Sequence, residues 1–137
     1  QRPSDLIRER FCAETGHIHV HETGSVEACG HKVLAMPGQE GKITAKQVNK
    51  AYESHWTDGA REHMVQPKLV YISHPTELGT LYTKQELMDL RNVCDACGLY
   101  LFLDGARLAY GLAADGTDVT LHDLAVLTDA FYIGAPR

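Results

Sequence analysis

Two short apolar runs predict buried strands near the middle of the chain. Residues 99–103 (Leu-Tyr-Leu-Phe-Leu) end at Asp104, and residues 68–72 (Lys-Leu-Val-Tyr-Ile) form a similar run. Runs of this length and composition are typical of strands buried on both faces of a parallel sheet. Because ligands of α/β proteins bind beyond the carboxyl ends of such strands, Asp104 and Arg107 are the first functional candidates. The alternative is structural, with Asp104 capping the next helix and Arg107 pairing with it on a surface turn.

Two helices are predicted from their start signals and apolar spacing. Capping boxes begin at Thr44 and Thr83, each with a hydroxyl at the cap and an amide or carboxylate side chain three residues later. Apolar residues at one-face spacing follow both boxes. We therefore predict helices from about Thr44 to His55 and from Thr83 to Gly98, glycine being preferred just past a helix end. The second helix joins the two predicted strands into a βαβ unit with parallel strands.

The remaining segments carry weaker patterns. The alternation of strands and helices along the chain predicts an α/β fold with a mainly parallel sheet in a single domain. The further elements expected are a helix or an interrupted strand within residues 1–14, a helix over 25–29, a strand over 32–36, a small-residue segment over 106–114, a helix over 120–127 and a strand over 130–133.

Composition and charge exclude several classes of protein. The chain has 137 residues, 44% of them hydrophobic and 23% charged, which is ordinary for one globular domain. A net charge of -5 with scattered basic residues argues against nucleic-acid binding. No apolar run is long enough to cross a bilayer, and no segment resembles a secretion signal. Four cysteines are too few for a disulfide scaffold. We therefore expect a cytoplasmic protein with reduced thiols and no membrane partner.

The alternating histidines His17, His19 and His21 are a candidate metal site. On a strand all three would share one face, whereas on a helix only His17 and His21 would be neighbours. The spacing identifies no carboxylate or further ligand to complete a zinc site. A zinc-binding module is therefore the alternative hypothesis for the function of the chain.

Two other groups of chemistry-bearing residues give weaker signals. Cys94 and Cys97 have the CxxC spacing of zinc ribbons and redox sites, but a second CxxC is missing and both thiols lie on the apolar stripe of the predicted helix. Since buried cysteine behaves as a small hydrophobe, we predict packing for both. His74 and Glu77 are possible acid–base groups, but one carboxylate near one histidine in a loop is a weak indication.

Four collinear motifs resemble those of threonine aldolase-like β-eliminating lyases. In chain order they are Gly16-His-Ile-His-Val-His-Glu-Thr-Gly24, Ile72-Ser-His-Pro-Thr-Glu-Leu-Gly-Thr80, Leu103-Asp-Gly-Ala-Arg-Leu108 and Ala130-Phe-Tyr-Ile-Gly134. That family consists of pyridoxal-phosphate enzymes of the aspartate-aminotransferase fold. The resemblance, over about residues 13–134, implies the central part of the large domain of such an enzyme.

The resemblance also implies roles for individual residues. His17 matches the histidine that stacks on the pyridine ring, a residue of the catalytic centre. Asp104 matches the acid that pairs with the pyridine nitrogen, and Arg107 matches the arginine that holds the substrate carboxylate. Thr76 is expected near the ring or the substrate hydroxyl. The implied reaction is aldol cleavage of a β-hydroxy-α-amino acid such as threonine to glycine and an aldehyde, by an enzyme that is a homo-oligomer at full length.

Two departures from the family pattern bear on activity. The family's Schiff-base lysine follows the last strand, where this chain has Arg137, and a guanidinium cannot serve as that amine nucleophile. The segment with the phosphate-binding loop and the small domain also have no counterpart. We therefore expect a truncated and inactive piece of the enzyme. A third hypothesis is a non-catalytic remnant that associates with other chains through exposed apolar surface.

Overall fold

A five-stranded parallel sheet with helices on both faces forms the structure, a computed structural model that describes residues 8–134. In chain order the elements are β1 (Arg8–Ala13), α1 (His17–Val20), α2 (Ser25–Ala28), β2 (Lys32–Met36), α3 (Ala45–Thr57), a 3-10 turn (Arg61–His63), β3 (Gln66–Ser73), α4 (Lys84–Cys97), β4 (Tyr100–Asp104), α5 (Leu108–Ala113), α6 (Leu121–Leu127) and β5 (Ala130–Phe131). The strand order is β2-β1-β3-β4-β5.

Every strand pair in this sheet is parallel, as the α/β prediction requires. The carboxyl ends of the strands therefore meet at one edge. In the pairing of β3 with β4, Ser73 lies opposite Asp104, and Tyr71 lies opposite Phe102. Because side chains alternate between faces along a strand, all four of these residues point to the same face of the sheet.

The opposite face carries the hydrophobic core. Val70 and Ile72 of β3 and Leu101 and Leu103 of β4 are buried there. The helical side of this core is formed by α3, α4 and α6. Its buried residues include Val48, Leu87, Leu90, Cys94 and Leu124. Burial of these side chains holds α4 against this face of the sheet.

The first face of the sheet is more open. Within residues 8–134 the short helices α1 and α2 border this face, and a groove of about 310 Å³ remains between them and the strands. The groove is lined by Arg10, Ile18, Val26, Leu69, Tyr71 and Phe102. Three of these, Leu69, Tyr71 and Phe102, are half-buried although parallel sheets usually have both faces covered.

The predicted helix boundaries are confirmed by their caps. The side chains of Thr44 and Thr83 accept hydrogen bonds from the backbone three residues on, and the reciprocal bonds complete both capping boxes. A third capping box begins α6 at Thr120. Gly98 ends α4 with φ 64°, a left-handed conformation that glycine adopts without strain.

The strands differ from the prediction at their ends. β2 has the predicted bounds, and β3 extends beyond the predicted 68–72. The undecided segment within 1–14 forms β1 from Arg8 onward, while residues 1–7 lie outside the described part, as does Arg137. β5 stops at Phe131, two residues earlier than predicted, because the chain leaves the ladder there and Gly134 N donates to the carbonyl oxygen of Gly105, 2.7 Å away.

Candidate functional site

The carboxyl ends of β1, β3 and β4 bring the candidate residues to one edge of the sheet. His17 begins α1, four residues after Ala13, the last residue of β1. Glu77 lies in the loop after β3, and Asp104 is the last residue of β4. The backbone N–H of His74 donates to the carbonyl oxygen of Asp104 over 3.1 Å, which extends the contact between β3 and β4 past their last paired residues.

Asp104 is the buried carboxylate of this site, with 6% of its surface exposed. Its Oδ1 accepts hydrogen bonds from the Ala106 N–H at 2.8 Å and the Tyr132 hydroxyl at 2.5 Å, and its Oδ2 accepts one from the Tyr71 hydroxyl. Burial raises the pKa of the Asp104 carboxyl, but the bonds from Tyr132, Tyr71 and the backbone outweigh it, so the pKa lies below its ordinary value. Asp104 is therefore ionised at neutral pH.

A second carboxylate, Glu77, connects the remaining elements of the site. Its Oε1 accepts hydrogen bonds from the Ser73 hydroxyl at 2.7 Å and from the backbone N–H of His17 at 3.2 Å. The Nη2 atom of Arg107 lies 3.6 Å from the same oxygen. The Glu77 side chain is 14% exposed and that of Arg107 is 43% exposed. Glu77 thus ties the start of α1 to the end of β3 and leaves most guanidinium donors of Arg107 open to a ligand.

The imidazole of His17 lies at the exposed side of the site. Its Nδ1 is 2.7 Å from Glu22 Oε1, and the side chain is 42% exposed. The position of His17 also contributes to lowering the pKa of Asp104. The carboxylate of Glu22 therefore orients a partly exposed imidazole at this end of the site.

The histidine cluster does not form a metal site among residues 8–134. No group of three or more metal-ligating side chains is close enough there to hold an ion. The segment is helical, so His17 and His21 are neighbours with ring centroids 5.1 Å apart, while the strand arrangement that would align all three histidines is not formed. The zinc alternative therefore has no support from the described residues.

Thr76 is buried in the loop after β3, with 1% of its surface exposed. Its hydroxyl lies 2.6 Å from that of Thr80 and accepts the Thr80 N–H at 3.2 Å. It also packs against Gly41, where a Cβ atom would be 3.0 Å from Thr76 Oγ1. The hydroxyl is therefore used within its own turn, and a role of Thr76 toward a cofactor or substrate stays a prediction.

His74 points away from the site and into the protein. Its side chain is fully buried, Nδ1 accepts the Tyr82 N–H at 3.3 Å, and Nε2 has no hydrogen-bond partner within residues 8–134. Burial lowers the pKa of His74. Of the two acid–base candidates in this loop, only Glu77 therefore faces the site.

This buried imidazole should make the stability of the protein depend on pH. Below about pH 6.5 the histidine at position 74 binds a proton in the unfolded state but stays neutral in the folded state. The free energy of unfolding therefore falls as the pH decreases through that value. One such histidine contributes a slope of at most about 1.4 kcal/mol per pH unit. Urea unfolding at pH 7.5, 6.5 and 5.5 should show a smaller loss in His74→Asn than in the unmodified chain.

The matched control for this experiment is exposed His122→Asn, which should keep the slope of the unmodified chain. Other buried histidines contribute equally to all three proteins, so the comparison isolates position 74. Equal slopes in His74→Asn and His122→Asn would mean that His74 titrates normally in the folded state.

The two cysteines of the CxxC segment pack as predicted. Cys94 is fully buried in the core, and Cys97 packs against it. Burial raises the pKa of the Cys94 thiol to about 12, and the pKa of Cys97 is also raised by burial. Both thiols are free, and neither has the low pKa of a redox thiol.

Tyr71 and Tyr132 are site residues that the sequence analysis did not single out. The sequence patterns place both tyrosines in predicted strands, and Tyr132 also lies in the fourth motif of the family resemblance, but neither receives a role. The alternation of side chains carried a usable signal for Tyr71, since it lies two residues before Ser73, the partner of Asp104 across the sheet. No such signal exists for Tyr132, which lies after β5 and outside the ladder.

The donors around Asp104 determine what ligand the site can accept. They are neutral hydroxyl and amide groups, and within residues 8–134 no lysine or arginine forms an ion pair with this carboxylate. A buried anion is stabilised by a cationic hydrogen-bond donor. A protonated aromatic nitrogen, as in a pyridinium ring, therefore fits the chemistry of Asp104.

The sequence resembles proteins of known family. Residues 5–137 match the sequence profile of the family described as beta-eliminating lyase. The low specificity L-threonine aldolase of Pseudomonas aeruginosa is 31% identical over 109 residues, which are 75% of this chain and 29% of that protein. The enzyme of the same name from Pseudomonas sp. is 31% identical over 105 residues.

Solved structures with similar folds extend the comparison. A threonine aldolase from Leishmania major is 50% identical and has a TM-score of 0.86. The match covers 97% of this chain and 37% of the Leishmania chain. An aminotransferase from Mycobacterium tuberculosis is 19% identical and has a TM-score of 0.60, and the match covers 86% of this chain and 27% of that chain. An aspartate aminotransferase from Thermus thermophilus has a TM-score of 0.53. These last two show the fold alone and confirm the predicted fold class. Within the described residues, no helix is long and apolar enough to cross a membrane.

Proposed function

The chain belongs to the beta-eliminating lyase family, and on this basis we propose that it forms the central part of a pyridoxal-phosphate-dependent enzyme that cleaves β-hydroxy-α-amino acids. Threonine, converted to glycine and an aldehyde, is the proposed substrate. The observation that carries the proposal is the buried, ionised carboxylate of Asp104 at the carboxyl end of β4, surrounded by neutral donors and lacking an ion-pair partner among the described residues. Such a carboxylate suits a cationic ring nitrogen.

Each site residue has a proposed task. Asp104 balances the charge of the protonated ring nitrogen, and His17 presents the open face of its imidazole to the ring. Arg107 binds the substrate carboxylate through its planar pair of donors. Glu77 keeps Arg107 and the start of α1 in place through the contacts of its Oε1 atom. Thr76 is assigned to the wall of the site beside the ring.

Bound pyridoxal phosphate supplies an electron-withdrawing ring that accepts the electron pair released when the Cα–Cβ bond of the substrate breaks. The residues of this chain bind and orient the reactants, and Asp104 holds the proton on the ring nitrogen. Deprotonation of the substrate hydroxyl requires a general base.

We propose the cleavage activity for a longer protein that contains this chain. The chain spans 29% of the length of the curated relatives it matches and 37% of the Leishmania major structure. The open face of the sheet, with half-buried Leu69, Tyr71 and Phe102, supports a requirement for further covering elements. A homo-oligomeric, cytoplasmic enzyme with an amino acid substrate belongs to the same proposal.

A chimeric protein tests the proposed activity. Residues 8–134 would replace the matching segment of the Leishmania major threonine aldolase, whose remaining chain supplies the rest of the fold. We expect the chimera to bind pyridoxal phosphate and to release glycine and acetaldehyde from threonine. A chimera that folds and binds the cofactor but cleaves neither threonine, allo-threonine nor other β-hydroxy amino acids would contradict the proposed substrate class.

Arg107→Gln in this chimera should raise KM for threonine by about 10- to 100-fold, because a hydrogen bond to a charged group is lost. The effect on kcat should be smaller, since the substrate carboxylate is bound throughout the reaction. Arg61→Gln is the control, because Arg61 is exposed and its guanidinium donates to the Trp56 carbonyl oxygen, 2.9 Å away. An unchanged KM in Arg107→Gln would remove Arg107 from the substrate site.

A further inference from the structure

Two tyrosine hydroxyls, one from β3 and one from the segment after β5, converge on the carboxylate of Asp104. Tyr71 lies in β3 and donates to Oδ2, while Tyr132 follows β5 and donates to Oδ1 over 2.5 Å. β4, which carries Asp104, lies between these two strands. We refer to Tyr71 and Tyr132 as the tyrosine pair. Each carboxylate oxygen thus accepts one hydrogen bond from a phenol hydroxyl, and Oδ1 also accepts one from the Ala106 N–H at 2.8 Å.

Phe102 holds the two phenol rings in place. Its ring lies between them, with a centroid distance of 5.4 Å to Tyr71 at an interplanar angle of 25° and of 6.3 Å to Tyr132 at 38°. Aromatic contacts at these distances are favourable and limit rotation of the rings. Contact with Phe102 therefore helps to orient both hydroxyls without a bound ligand.

The charge state of the cluster follows from these bonds. Burial and the bond to Asp104 raise the pKa of both tyrosines, so the phenols stay neutral and act as donors. The same bonds keep the pKa of Asp104 below its ordinary value despite burial. The titratable or charged groups of other elements that interact electrostatically with the cluster include His17 of α1, Glu77 of the loop after β3, Glu22 and Arg107.

We propose that Tyr71 and Tyr132 are positioning residues that fix the Asp104 carboxylate in one orientation and in its charged form before the cofactor binds. The proposal rests on the function proposed above. A carboxylate that already accepts two phenol hydrogen bonds has a lowered proton affinity, so the proton it shares with a ring nitrogen stays on that nitrogen. The hydrogen bonds from the tyrosine pair and from Ala106 occupy some of the lone pairs of the carboxylate. A cationic donor can therefore approach Asp104 only along the lone pairs that remain.

The titration of Asp104 in the 137-residue chain tests the pair without any cofactor. With aspartate labelled at its carboxyl carbon, the NMR signal of Asp104 is assigned as the one missing in Asp104→Asn. Tyr71→Phe and Tyr132→Phe should each shift its titration midpoint upward, and the double variant should shift it further than either. Tyr110→Phe, which removes the hydroxyl of an exposed tyrosine, should leave it unchanged. Unchanged midpoints in the folded pair variants would overturn the proposal.

A second measurement needs no pair variant and remains valid if one of them does not fold. In the unmodified chain with labelled tyrosine rings, two tyrosine signals should stay neutral to higher pH than the same signals in Asp104→Asn. Identical tyrosine titrations in both proteins would show that the hydroxyls do not bind the carboxylate.

Adding pyridoxal phosphate to the chimera, with the same label and the same variants, separates the two proposals because the chimera contains the rest of the enzyme fold. We expect the cofactor to shift the Asp104 carboxyl signal in the unmodified chimera and to shift it less in the chimera that carries the double variant. An upward titration shift in the variants combined with no response to the cofactor would contradict the proposed cofactor role of this chain and leave the tyrosine pair established. A response to the cofactor combined with unchanged titrations in the variants would contradict the role of the tyrosine pair and support the proposed cofactor role.

Discussion

Asp104→Asn is expected to lower kcat of the chimera for threonine by about 100- to 1000-fold, the usual effect of removing one preorganised electrostatic group from an active site. Asparagine has nearly the shape of aspartate but no charge, so it cannot balance a positive charge on the ring nitrogen. Cofactor content should stay near that of the unmodified chimera, because the family resemblance implies that the phosphate site and the Schiff-base lysine lie in segments that this substitution leaves unchanged. The loss should therefore lie in transition-state stabilisation more than in cofactor binding.

The measurement pairs kcat with the cofactor released from the purified protein. Asp115→Asn is the matched control, since Asp115 is exposed and lies outside the site, and it should leave both values unchanged. A parallel loss of cofactor and activity in Asp104→Asn would assign Asp104 to cofactor retention alone. Full activity with asparagine at position 104 would remove it from the catalytic centre.

The position of Asp104 could be predicted because it depends on local sequence and one rule of topology. An apolar run that ends in an acid predicts a buried strand with a carboxylate at its end, and parallel strands place such ends at a common edge. Arg107, three residues later, is placed at the same edge by the turn that follows. Both predictions needed only the direction of the strand and its approximate length.

The surroundings of these residues could not be predicted in the same way. Glu77 contacts His17, Ser73 and Arg107, which are separated from one another by tens of residues, so no spacing pattern reveals the cluster. His74 and Glu77 lie three residues apart in one loop, yet only Glu77 faces the site. The direction of each side chain is set by the course of the loop and by packing against Tyr82, and these are tertiary features.

The helices and strands also divide into those that local sequence signals predict and those that depend on tertiary contacts. The helices beginning after Thr44 and Thr83 were predicted closely because capping boxes and apolar spacing are local signals. β5 was predicted too long because its end is determined by contact with another segment, the turn after β4. The resemblance to the family added the expected fold class, which local patterns had described only as a parallel α/β sheet.

That contact between the end of β5 and the turn after β4 leads to the second large effect. Gly105→Ala should destabilise the chain by about 3 kcal/mol, at the upper end of the cost of overpacking. A Cβ atom at position 105 would lie 1.7 Å from the carbonyl oxygen of Tyr132 and 2.9 Å from its carbonyl carbon. These are backbone atoms, so no side-chain rotation relieves the clash, and the segment from Tyr132 to Gly134 has to move away.

Movement of that segment should also change the chemistry of the site. The hydroxyl of Tyr132 would leave Asp104, and the titration midpoint of the Asp104 carboxyl would rise, as in Tyr132→Phe. Gly59→Ala is the control, because nothing lies within 4 Å of a Cβ atom there. Urea unfolding measures the stability of both variants, and carboxyl NMR measures the titration. Gly105→Ala with the stability and titration of Gly59→Ala would mean that the close approach of the two segments is not maintained in solution, and the orientation of Asp104 would then depend on Tyr71 and the backbone alone.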